Sequence, residues 1–216
     1  MANILYLVHR LPYPPNKGDK VRSYHLLKHL AAHHRIHLGT FVDDPDDLQH
    51  VEVVRAECAE LCTVRLHPKP ARIKSLTSLL TGQSLTEQYY RSTEMQQWVD
   101  DLVAAGKVDA AVVFSSSMAQ YVLPHDRLPF LADLVDVDSA KWTQYGDARV
   151  WPMSWLYRRE GSRLLAFERK VVQRARQSFL VTEREVALFD QLAPDCAGRV
   201  AVSATALSVV STVAST

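Results

Sequence analysis

Cysteine is scarce in this chain: Cys58, Cys62 and Cys196 are the only three among 216 residues. Three thiols cannot form the framework of a disulfide-rich secreted scaffold, and in a reducing compartment they read as buried or surface thiols. Glycine is sparse too, at seven residues, and neither G-x-G-x-x-G nor the P-loop pattern occurs. That excludes the common dinucleotide fingerprint and the Walker phosphate cradle. Charge of one sign is also missing. The 25 Lys and Arg nearly balance the 24 Asp and Glu, leaving +1. A nucleic-acid partner usually demands a strong basic excess, so none is expected. No apolar run approaches the ~20 residues of a membrane helix. The run at residues 4–8 is too short for a signal-peptide core and has no basic segment before it. These absences predict a cytoplasmic protein. Its remaining link to lipid is peripheral contact with the inner face of the membrane.

What the chain does have is an ordinary globular composition, 47% hydrophobic and 23% charged. Its length suits one domain, with roughly 70% of the unfolded surface buried. The near-continuous apolar run at residues 4–8 suits a strand buried on both faces, as in a parallel sheet. A proline-rich loop follows, and Asp19 reads as the N-cap of a helix reaching His34. On that helix Tyr24, Leu26, Leu27, Leu30 and Ala31 share one side. Residues 35–42 read as a second strand, completing a βαβ unit. Further on, 46–62 reads as a helix, 63–66 as a strand, and Pro68 and Pro70 as chain breaks. Helices are expected at 73–80 and 96–105, and strands at 109–114 and 130–135. A long Arg-rich helix is expected over 152–176, then a strand at 178–181. Thr182 and Glu185 form a capping box for a helix at 183–192, and 199–202 makes a last strand. This alternation predicts an α/β fold, a Rossmann-like doubly wound and mainly parallel sheet.

Ligands of such sheets bind outside the carboxyl ends of the strands, and three segments should gather there. The first is the loop 9–19, where Lys17, Gly18, Lys20 and Arg22 surround a helix start suited to a phosphate or carboxylate. A stiff loop with a solvated basic rim explains it equally. The second is Ser115-Ser116-Ser117, able to bond sugar hydroxyls or simply to cap a helix. No G-x-S-x-G elbow surrounds it, which argues against a hydrolase nucleophile. The third carries Asp133, Asp136 and Asp138, with Lys141 and Trp142 behind. Asp136 and Asp138 could hold a divalent cation, accept hydrogen bonds from a polyol, or cap a helix. Trp142, Tyr145, Trp151, Trp155 and Tyr157 offer stacking surfaces, or an aromatic core. His25, His29 and His33 recur at helical spacing on the flank of the apolar stripe, a weak metal candidate. Cys58 and Cys62 sit one helical turn apart. The arginines of 158–176, interspersed with Glu160 and Glu168, read as a solvated face or as attraction to an anionic membrane.

After Arg199 no charged residue occurs. Residues 203–216, built from Ser, Thr, Ala and Val with one Leu, form an atypical tail, read as disordered or as the product of a frameshift. The expected domain therefore spans 1–202.

Residues 3–30, together with the segments at 114–121, 135–142 and 167–170, resemble family-4 glycosyltransferases. The resemblance is nearest to the branch found beside the exosortase (PEP-CTERM) sorting system in exopolysaccharide-making bacteria. It implies the N-terminal, acceptor-side half of a GT-B fold and retaining transfer from a nucleotide-sugar donor. The acceptor would be a polysaccharide or lipid-linked, and no metal cofactor is implied. Lys17, Gly18, Asp19 and Arg22 would approach the donor phosphate, with Asp19 standing where relatives have a second glycine. Ser115, Ser116, Asp136, Asp138, Lys141 and Trp142 would face the acceptor, and Asp136 and Asp138 are the catalytic candidates. The histidine that many relatives carry before this acidic pair is missing. Relatives continue past a strand like 199–202 into a linker and a donor domain with paired glutamates. The expectation is a truncated half enzyme, inactive alone, or a binding half that needs a separate donor-domain chain. A metal-dependent GT-A transferase using Asp136 and Asp138 is the rival.

Overall fold

The computed structural model describes residues 1–202, so the tail at 203–216 lies outside the described residues. Seven parallel strands form one sheet: β1 (Asn3–Val8), β2 (Arg35–Val42), β3 (Glu60–Arg65), β4 (Ala110–Phe114), β5 (Phe130–Val135), β6 (Gln177–Leu180) and β7 (Val200–Val202). Their spatial order is β3-β2-β1-β4-β5-β6-β7. The chain winds outward from β1 to one edge and then returns to place β4 on the other side of β1. The crevice of a doubly wound sheet opens at that reversal.

The helices are α1 (Gly18–His33), α2 (Val51–Arg55), α3 (Pro68–Ser75), α4 (Ser78–Thr81), α5 (Leu85–Tyr89), α6 (Thr93–Ala104), α7 (Asp138–Asp147), α8 (Met153–Arg174) and α9 (Glu183–Leu192). Successive residues of β1 feed opposite cores, because side chains alternate across a strand. Ile4, Tyr6 and Val8 pack with Leu26, Leu27 and Leu30 of α1. Leu5 and Leu7 pack on the other face with Met95 and Val99 of α6 and Leu164 and Val171 of α8. Two helical layers therefore explain why the run shows no alternation. Each buried leucine contributes roughly 1.5–3 kcal/mol. Tyr6, wholly buried, donates its hydroxyl to the Ser23 carbonyl at 3.1 Å.

Several sequence expectations need correction. Residues 46–62 do not form one helix: a 3₁₀ turn (Pro45–His50) and α2 end well before β3, where Cys62 lies. Cys58 and Cys62 thus sit on different elements, and all three thiols are free. Pro68 and Pro70 do not break the chain; they start α3, where the first-turn N–H groups need no intrahelical partner. Lys17, not Asp19, occupies the N-cap of α1, and it makes no side-chain cap. Thr182 does cap α9, accepting from the Glu185 N–H at 3.2 Å. The Glu185 carboxylate, however, turns away to accept from the Val137 N–H at 2.7 Å, so the box is half formed.

The largest surprise is α8. Glu160 and Glu168 are buried, not part of a solvated face. Glu160 accepts from the Thr86 N–H at 2.9 Å and the Thr86 hydroxyl at 2.7 Å, and also from the Leu85 N–H, all at the start of α5. Glu168 accepts from the Ser139 N–H at 3.2 Å and the Ser139 hydroxyl at 2.5 Å, at the start of α7. Arg159 donates to the Ser78 carbonyl at 2.7 Å, and Arg174 to the His125 carbonyl at 2.9 Å. One helix thereby holds the ends of several others, the side-chain oxygens of Glu160 and Glu168 accepting from the free N–H groups of helix starts. Gly161 lets α7 approach: a Cβ there would stand 2.4 Å from Thr143 Oγ1 and 2.9 Å from the Ser139 carbonyl oxygen.

Candidate functional site

Strand register dictates where the site forms. Val8 pairs with Phe114, and Phe114 pairs with Asp133. The residues just beyond, His9, Ser115 and Val135 to Asp136, therefore emerge in a row at the carboxyl edge of the sheet. They floor a cleft of about 930 Å³ walled by residues of α3, α5, α7 and α8. Two residues in this floor adopt left-handed backbone without being glycine: Ser115 (φ 75°) and Val135 (φ 70°). Such strain persists only where its surroundings hold it, and it concentrates at functional sites. Here the Ser115 N–H donates to the Asp133 carbonyl at 2.8 Å, and β5 is irregular between Asp133 and Val135.

On the α1 side, the His9 ring stacks on Phe114 with centroids 6.0 Å apart and meets Tyr90 edge-on at 5.9 Å. His9 Nε2 lies 3.6 Å from Asp19, and Arg10 stands 3.3 Å from the same carboxylate. The His9 contact and then the Arg10 charge hold Asp19 well below the usual carboxylate range, against partial burial. Across the cleft, the Lys141 ammonium donates to Asp136 at 2.7 Å and to Asp138 at 3.1 Å. Desolvation raises Asp138 while Lys141 draws it down, and the net direction is upward. These three groups remain open to solvent by about two-fifths of their side chains. Trp142 completes the wall against Tyr157, centroids 5.3 Å apart.

Of the residues singled out from sequence, Asp19, Ser115, Asp136, Asp138, Lys141 and Trp142 line the cleft. Four do not. Ser116 is buried beneath the strand-end turn. Arg22 turns inward, its Nε 2.8 Å from the fully buried Asp133, so neither joins a polar rim. Lys17 and Gly18 stay at the exposed start of α1. Lys20 is likewise committed, forming a buried pair with Asp47 at 2.6 Å. Of the aromatics, Trp142 and Tyr157 line the cleft, whereas Tyr145, Trp151 and Trp155 are exposed outside it. His25 and His33 are exposed and His29 is half-buried. Among the described residues no group of three or more His, Cys, Asp or Glu is placed to hold a metal ion.

Sequence reading assigned no role to His9, Arg72, Thr86, Tyr89 or Tyr90, which also line the cleft. His9 was findable, because it ends the apolar run of β1 and a strand's carboxyl end faces the ligand edge. The α5 residues carried a local signal as well: Ser84 and Glu87 form a full capping box.

No family model matches the chain, and no curated protein matches it. Solved structures do. Sucrose-phosphate synthase from Thermosynechococcus elongatus aligns over 94% of this chain and 47% of its own, with TM-score 0.59 and 16% identity. A putative UDP-N-acetylglucosamine 2-epimerase from Listeria monocytogenes aligns over 92% and 44%, with TM-score 0.52 and 10% identity. TcCGT1, solved in complex with UDP, aligns over 93% and 50%, with TM-score 0.50 and 12% identity. The chain spans about half the length of each of these three structures. Sheet order and these neighbours together show the fold: a Rossmann-like α/β half of the GT-B architecture.

Proposed function

We propose that this chain is the acceptor-side half of a GT-B glycosyltransferase, which moves a sugar from a nucleotide sugar to a polysaccharide or lipid-linked acceptor. The observation that carries this reading is the cleft at the β1/β4 reversal. It combines an aromatic wall, Trp142 and Tyr157, with the half-exposed trio Asp136, Asp138 and Lys141. Aromatic faces take the apolar faces of sugar rings, and carboxylates accept from their hydroxyls. The metal-dependent alternative is less favoured by this geometry, since the Lys141 ammonium already bridges the two carboxylates. The resemblance to family 4 and its exosortase-associated branch fits an acceptor made in envelope or exopolysaccharide synthesis.

Chemistry follows from position. Asp138 and Asp136 orient acceptor hydroxyls, and Lys141 balances their charge. Positioning of this kind converts a bimolecular encounter into a directed one. The donor is held mainly by the second half of a GT-B enzyme, supplied by the rest of a longer chain or by a separate one.

Titration of the chain with short oligosaccharides, followed by NMR saturation transfer, tests the reading. Asp138→Asn should weaken binding by about tenfold or more, the worth of a hydrogen bond to a charged group, and Trp142→Ala should weaken it by about tenfold through loss of ring stacking. Transfer from a nucleotide sugar should appear only when a donor half is added. Turnover by the chain alone, or saccharide binding indifferent to both substitutions, would overturn the assignment.

A further inference from the structure

The two left-handed residues in the cleft floor belong to different strands, yet they meet at one residue, Asp133. Ser115 follows β4, and Val135 ends β5. Left-handed backbone is costly for any residue with a side chain, and most of all for a β-branched one. No glycine stands between Gly106 and Gly146 to relieve it. The strain is therefore held by contacts from outside each turn.

Asp133 grips both turns. Its main-chain carbonyl accepts from the Ser115 N–H at 2.8 Å. One carboxylate oxygen accepts from the Val135 N–H at 3.3 Å, and the other from Arg22 Nε at 2.8 Å. Arg22 reaches in from α1. The result is a bulge: Asp133 pairs with Phe179 and Val135 with Leu180, leaving Leu134 without a partner on β6. The Asp136 N–H then turns back onto the Leu134 carbonyl at 2.9 Å. A bulge re-aims the side chains around it, and here those are Val135 and Asp136 of the cleft.

Stability alone does not account for the ion pair. The Asp133 side chain is wholly inaccessible, and that of Arg22 is 14% exposed. Burial, the largest influence on Asp133, raises it against the pull of Arg22, and the net direction is upward. Desolvation thus outweighs what Arg22 returns. Apolar side chains often replace such pairs with no loss of stability. The other residues of β5 are Phe, Leu, Ala, Leu and Val, so an apolar residue at 133 would suit the sheet. It would not supply an acceptor for the Val135 N–H or an anchor in α1.

We infer that Asp133, anchored by Arg22, is a positioning residue of this cleft: it holds the left-handed turns that set Ser115 and Asp136 before the acceptor. The inference rests on the acceptor reading for its ligand, but the turns are measured without one.

The test replaces the pair by apolar residues of similar size, Arg22→Met with Asp133→Leu, in the full chain. The double variant should unfold at a urea concentration no lower than the unsubstituted chain. Its binding of glucose or N-acetylglucosamine oligosaccharides should nevertheless fall by about tenfold, the worth of one hydrogen bond to a charged group. Hydrogen exchange followed by NMR should quicken by about tenfold at the Ser115 and Val135 amides, and stay unchanged at Val99 in α6. Arg22→Lys keeps a cation against the carboxylate, so it should retain most of the affinity and the slow exchange. Unaltered binding, or unaltered exchange, in the double variant would overturn the inference. So would a loss of stability in step with the loss of binding, because the pair would then be merely structural. An Arg22→Lys chain as impaired as the double variant would do the same, since the cation's hold on Asp133 would not be what matters. If the unsubstituted chain binds no oligosaccharide, the acceptor reading fails, and the exchange rates alone decide whether Asp133 holds the turns.

Discussion

Two sets of carboxylates lie within one region of this molecule and behave as opposites. Glu160 and Glu168 on α8 are sealed from water, and their oxygens are taken up by N–H and hydroxyl donors of Leu85, Thr86 and Ser139. Asp136 and Asp138 stand open, and their partner is the flexible ammonium of Lys141. Backbone donors are fixed and cannot be exchanged for a ligand without melting a helix start. An ammonium on four methylenes can swing aside. The first pair therefore fixes the walls of the cleft, and the second is available to whatever enters it.

Removing a buried member should break this contrast most visibly. Glu160→Ala strands the buried N–H groups at the start of α5, and stability should fall by about 3 kcal/mol. Denaturant unfolding gives the value, and a loss under about 1 kcal/mol would show that water replaces the carboxylate.

A pH titration sharpens the comparison. Burial pushes Glu168 up to about 8 from an ordinary 4.5, opposed by the Ser139 hydrogen bonds and assisted by Asp138. The folded state then holds this proton to higher pH than the unfolded chain does. Its contribution is complete below about 4.5 and is lost as pH rises through about 8. Stability measured across that window should decline by a few kcal/mol, and Glu168→Gln should flatten the decline. An unchanged slope in that variant would place the titration elsewhere.

The smallest effect belongs to the open pair. Asp138→Asn should alter stability by less than about 1 kcal/mol, as exposed ion pairs do. A stability loss matching that of Glu160→Ala would erase the distinction between scaffold and ligand groups.

The sheet was legible because its signals are local. The strand at 130–135 and the helix at 183–192 were bounded correctly by an apolar run and by the Thr182 cap. Signals failed where partners are distant. Asp133 read as a member of an acidic cluster because nothing in its neighbourhood announces Arg22, 111 residues away. Glu160 and Glu168 read as solvated because helical spacing cannot reveal that two helix starts abut them. The helix α5 is five residues long, too short for periodicity to register. Within the site, the segment 133–142 was found through its density of carboxylates, whereas His9 and the Tyr89–Tyr90 pair look ordinary until the fold gathers them.

The return of the chain to β4 also sets an order of assembly. β1 is complete by residue 8, but its second neighbour in the sheet begins at residue 110. During synthesis, one edge of the most buried strand must wait through about a hundred residues, with only β2 and β3 beside it. Non-local pairings of this kind form slowly, and an unpaired apolar edge invites association with other chains. The floor shared by His9 and Ser115 closes only when that edge is filled, so the cleft is completed late in synthesis.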